Sequence, residues 1–162
     1  MIIVPFFKII NQRRKMKKIV LISCVSKKLN GKHEAYKLYS ASTLFKAMWN
    51  YTLKVLKKNP KNEIFIISAK HGLINPFEKI EKYNVTLKTM SKKEKQEWAK
   101  KVVNQLKEKF DLNNTKFLIL AGKDYYEELI KLLPHYEIIP NQPLPIGKKV
   151  QWYHNQILNN EK

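Results

Sequence analysis

The chain has 162 residues, 44% of them hydrophobic, which suits one domain with a true core and argues against wholesale disorder. Its 32 Lys plus Arg against 13 Asp plus Glu leave a formal charge of +19, nearly all of it lysine. A field of that sign favours polyanions such as nucleic acid or an anionic lipid surface, although a lysine-rich surface kept for solubility would read the same.

Residues 1–15 carry an apolar run that is too short to span a bilayer and is interrupted by Lys8. A signal peptide would place its charges before the apolar run, whereas Arg13, Arg14 and Lys15 follow it. Met16 then opens MKKIVLIS like a fresh start ahead of a strand. The expectation is an upstream extension over 1–15, from a misassigned start or disordered, with a peripheral membrane anchor as the alternative. Residues 16–162 form a single α/β domain on this reading, with no transmembrane segment.

In chain order the pattern alternates strand and helix. KIVLIS (18–23), EIFIIS (63–68) and KFLILAG (116–122) are apolar runs without alternation, as strands covered on both faces should be. YEIIP (136–140) is a shorter fourth, stopped by Pro140. Between them Leu44, Phe45, Met48, Trp49, Val55 and Leu56 recur at helical spacing. Ser91 and Glu94 form a capping box ahead of Trp98, Val102, Leu106 and Phe110, and Asp124 and Glu127 repeat the box. A last helix is expected over 147–158. The implied fold is a three-layer α/β domain, with a mostly parallel four-stranded sheet flanked by helices on both faces.

Ligands of such sheets sit outside the carboxyl ends of the strands. Three strands end alike here: Ser23-Cys24-Val25-Ser26-Lys27-Lys28, then Ser68-Ala69-Lys70-His71-Gly72, then Ala121-Gly122-Lys123-Asp124-Tyr125. Small residues let backbone N–H groups approach a ligand and lysines add charge, so Ser23, Ser26, Lys27, Lys28, Ser68, Lys70, Gly72, Gly122 and Lys123 are candidate anion- or substrate-binding residues. Lysine is abundant enough, however, to fall in most loops. Tyr39 could stack on a base with Ser42 reaching a phosphate, or could simply be a packed residue at the start of a helix. His71 titrates near neutrality and could move a proton, or could be only a turn residue. Cys24 could be a nucleophile, or a small packing residue at a strand end. Glu81, in the irregular stretch 76–90, could act as a base or merely pair with a surface lysine.

One Cys and four scattered His give no metal-ligand spacing, and the lone Cys24 fits a reducing, cytoplasmic interior. No Walker lysine motif, GxGxxG or GxSxG occurs, so no cofactor or metal is expected.

Taken together, SC-x-x-K-K at Ser23, Cys24, Lys27 and Lys28, LY-x-x-S-x-x-F from Leu38 to Phe45, and SAKHGL with Pro76 resemble a family of uncharacterised bacterial, archaeal and phage proteins. That family is distantly similar to the YaaA proteins. A weaker likeness, at Cys24, Ser26, Lys27 and Lys28 and then Lys37 to Ser42, reaches the motif domain of archaeosine synthases. Both resemblances imply nucleic acid: binding and protection of DNA in one case, base modification of transfer RNA in the other. The leading expectation is a nucleic-acid-associated protein, acting as an enzyme that modifies or releases a nucleobase. The alternatives are a non-catalytic DNA- or RNA-binding module and an enzyme on a small anionic nucleotide.

Overall fold

The computed structural model describes residues 16–162; the extension expected over 1–15 lies outside the described residues. Four strands run parallel: β1 (Lys17–Ser23), β3 (Ile64–Ser68), β6 (Thr115–Leu120) and β7 (Tyr136–Ile138). These are the four runs expected from sequence. A fifth, β4 (Gly72–Ile74), turns back antiparallel on β3, so the sheet has five strands, not four, in the order β4-β3-β1-β6-β7. A separate two-stranded ribbon pairs β2 (Lys32–Glu34) with β5 (Lys79–Glu81).

Burial explains the runs. In β1 Lys17 and Lys18 are exposed while Ile19 to Ser23 are buried in succession, and every residue of β3 is buried. Consecutive burial leaves neither face of these central strands open to water, hence the missing alternation.

The helices are α1 (Ala35–Leu38), α2 (Thr43–Lys54), α3 (Lys92–Lys109), α4 (Lys123–Tyr126) and α5 (Ile146–Asn160). Ser42 caps α2 by accepting from the Phe45 N–H at 3.1 Å. Tyr51 of α2 meets Trp152 and Tyr153 of α5, with ring centroids 5.6 and 5.2 Å apart. The capping box of α3 is complete: Ser91 Oγ accepts from the Glu94 N–H, and the Glu94 carboxylate accepts from the Ser91 N–H. Trp98, Val102 and Leu106 form its buried stripe.

The second expected capping box does not form. α4 is a single turn whose N-cap is Gly122, without any side-chain cap. Asp124 is drawn instead to Lys95 Nζ of α3 at 2.8 Å. The helix begins at Lys123, so Asp124 lies inside its first turn and not at the cap position.

Chain order fixes the site. From β1 the chain crosses to β3 on one side, then returns past β1 to β6 on the other. The order therefore reverses between β1 and β6, and the crevice beyond their carboxyl ends is the switch point.

Candidate functional site

The sulfur of Cys24 joins three strand ends. Cys24 follows β1 and donates its N–H to the Ile67 carbonyl of β3 at 2.9 Å. Its Sγ accepts from the Ala69 N–H, just past β3, at 3.4 Å and lies 3.3 Å from the hydroxyl of Tyr125, in α4 just past β6. As a thiol it can donate to that hydroxyl; as a thiolate it would accept from both groups. Burial, followed by the nearby sulfur, pushes the ionisation of Tyr125 above the ordinary tyrosine range, so its O–H stays available as a donor.

Above the sulfur opens a cavity of about 360 Å³ at the switch point. Ser23, Cys24 and Gly122 line it at the strand ends. Val25, Leu44, Tyr125 and Ile146 give it apolar walls, and Lys27, Lys88 and Lys149 bring amines to it. Its size falls within the roughly 300–1,000 Å³ usual for small-ligand pockets. A wider hollow of about 610 Å³, bordered by Lys107, Phe110 and Asp111, lies at the opposite, amino-terminal end of β6. That end holds neither the sulfur nor the strand-end loops.

The structure divides the expected site residues into two groups. Ser23, Cys24, Ser26, Lys27, Ser42 and Gly122 all line the cavity. Ser42 does so with its hydroxyl engaged as the α2 cap. Lys123 faces a neighbouring cavity.

The others serve structure or lie elsewhere. Tyr39 is fully buried, with its hydroxyl bonded to that of Tyr83, and offers no open face to a base. Ser68 is also fully buried: its Oγ accepts from the N–H groups of Lys70 and His71 and bonds Tyr83, while its carbonyl accepts from Trp98 Nε1 at 2.8 Å. Gly72 has φ +72° at the turn into β4, where a Cβ would collide with Gln105. That glycine serves the turn and does not line the cavity.

His71 and Lys70 flank the cluster on its Tyr83 side and do not line the cavity. The His71 ring stands edge-on to Tyr83 with centroids 5.4 Å apart. Burial holds its pKa below the ordinary histidine value, Lys70 and Lys101 add to this, and Glu78 opposes it. Lys28 donates to the Ser26 carbonyl at 3.2 Å and sits over the Tyr83 face, 4.5 Å from the centroid. Burial lowers its pKa, the sulfur of Cys24 partly offsetting this and Lys82 adding to it. Glu81 is exposed in β5 opposite Lys32, so it is a ribbon residue and does not reach the cavity.

Sequence reasoning missed Thr86, Lys88, Ile146 and Lys149. Thr86 and Lys88 come from a short 3₁₀ segment in which Thr86 caps Lys88, and the other two from the first turn of α5. No local motif marks them; only the tertiary fold brings them to the strand ends.

A model of a family of unknown function, DUF6884, matches residues 19–155. The chain belongs to DUF6884. The match begins within β1 and ends within α5, so every wall of the cavity, from Ser23 to Lys149, falls inside the DUF6884 region. No curated protein and no solved structure matches the chain. Among the described residues no helix is long and apolar enough to cross a membrane, and no three His, Cys, Asp or Glu side chains gather as a metal site would require.

Proposed function

We propose that this protein is a nucleic-acid-associated enzyme that receives a nucleotide unit in the switch-point cavity and acts on its base, with Cys24 as the reacting group. The observation that carries this reading is the cavity itself: apolar walls suited to a planar ring, amines at the mouth for phosphate, and a hydrogen-bonded sulfur on the floor. Lys27 and Lys88 would take the phosphate as point charges. The Cys24 S–H would add across a ring double bond of the base: the C–S bond forms as the ring π bond opens, and the thiol proton passes by way of the adjacent Tyr125 hydroxyl to the neighbouring ring atom. His71 has no part in that step, since it does not line the cavity. The formal charge of +19 supports a polyanionic substrate. A base within a duplex would have to be flipped out to enter.

The test compares the full chain with Cys24→Ser and with Lys27→Gln/Lys88→Gln. Each is titrated with labelled transfer RNA, single-stranded DNA and duplex DNA across a salt series, and the nucleic acid is then analysed by mass. The expected result is one preferred nucleic acid whose preference needs the two lysines, with a base change or loss that disappears in Cys24→Ser. Binding that is equal for all three, and lost with salt regardless of variant, sinks the proposal. Specific binding without any change of mass would instead make the protein a non-catalytic binding module.

A further inference from the structure

A second cavity, of about 330 Å³, adjoins the first. It is walled by the end of β6 and by the loop that follows β7. Only Gly122 and Lys149 line both cavities.

Three features coincide at that junction. Lys149, in the first turn of α5, is half-buried and makes no ion pair among the described residues. Burial lowers its pKa, and Asp124, the carboxylate residue that lines the first cavity with it, is paired with Lys95 instead. At Gly122, where the two cavities meet, the surroundings are uncrowded: a Cβ there would meet no atom within 4 Å, and φ of −78° suits any residue. In the second cavity, Tyr126 and Pro140 offer faces for stacking, while Asn141 and Gln142 carry amides able to donate and accept at a base edge.

We propose that the joined cavities receive two consecutive nucleotide units, with the phosphodiester between them held by Lys149 as it passes Gly122. This rests on the nucleotide reading of the first cavity and names its substrate as a chain, not a free nucleotide. The match of charge supports it: a bridging diester carries one negative charge and Lys149 supplies one positive. Lys123, lining the second cavity, stands where the strand would continue.

Calorimetry with the full chain tests this, using the four 5′-mononucleotides and mixed-sequence dinucleoside monophosphates that also carry a 5′-phosphate, of the ribo and deoxyribo series, so that the probes differ by the bridging diester and the second unit. Dinucleoside monophosphates should bind about ten- to a hundredfold tighter than mononucleotides, the range for a charge-assisted contact. Lys149→Met should remove that advantage. Gly122→Val, which adds bulk where the two cavities meet, should remove it too. Gly122→Ala is the milder version should the valine variant melt early. Mononucleotide binding without any gain for the dinucleoside monophosphate overturns this inference and leaves the proposed function standing. Binding of neither probe overturns both. A dinucleotide advantage that survives Lys149→Met and both Gly122 variants places the second unit elsewhere and also overturns it.

Discussion

Cys24 is only 4% exposed, yet its sulfur holds the Ala69 N–H and the Tyr125 hydroxyl together on the cavity floor. Truncation to Ala would strand both groups, at a cost of about 1–2 kcal/mol, whereas Ser keeps a hydrogen-bonding atom and should recover most of this. Urea denaturation of the two variants checks the stability difference, and neither should support turnover if the sulfur reacts. His71 gives a second prediction at this scale. Its native pKa lies below the ordinary 6.5, so the folded ring is neutral where the unfolded ring begins to protonate. Stability present above about pH 6.5 is therefore lost as the pH falls from there through the lower folded value. The ring is only partly buried, so screening should keep the loss to about 0.5 kcal/mol or less. His71→Gln should flatten that loss between about pH 7.5 and about pH 5.5 in urea titrations; an unchanged slope would assign it to other groups.

The turn after β3 is built as a unit and clamped from α3. Gln105 accepts from the Leu73 N–H at 2.8 Å and donates to the His71 carbonyl at 3.4 Å, while Lys101 donates to the Lys70 carbonyl at 3.3 Å. Gln105→Ala should cost about 1–2 kcal/mol by leaving the Leu73 amide without its partner. Hydrogen exchange should quicken at that amide more than in β1, and uniform quickening would mean that the clamp acts on the whole fold. This clamp was not visible in the sequence, because nothing in SAKHGL announces a glutamine from a distant helix. The long buried runs of β1, β3 and β6 were legible because burial on both faces selects unbroken apolar residues. β4 was not, since three residues that begin with the turn glycine are too few to show a period. Tyr39 stayed open between two readings for a related reason: a phenol at the start of a helix looks the same whether its hydroxyl meets a base or, as here, Tyr83 in the interior.

For the whole molecule the open matter is whether the charge is a coat or is aimed at the cavity. Composition gave its sign and size but not its placement, since Lys88 and Lys149 reach the strand ends only through folding. Four ion pairs form among the described residues, and internal pairs leave the surplus of +19 unchanged because that figure already counts every carboxylate. Two lysine pairs separate the cases: Lys27 and Lys88 at the cavity, and Lys100 and Lys107 on exposed positions of α3. On a single strand each phosphate contact contributes roughly 0.7 to the slope of log K against log salt. Lys27→Gln/Lys88→Gln should therefore lower the slope by about 1.4 and weaken binding several-fold, whereas Lys100→Gln/Lys107→Gln should change neither. Both variants remove the same net charge, so a long-range coat would respond to them equally. Equal responses, read by fluorescence anisotropy over the salt series, would leave the cavity without a role in binding. Unequal responses would make the lysines at the strand ends the contacts through which a diffuse field becomes a specific site.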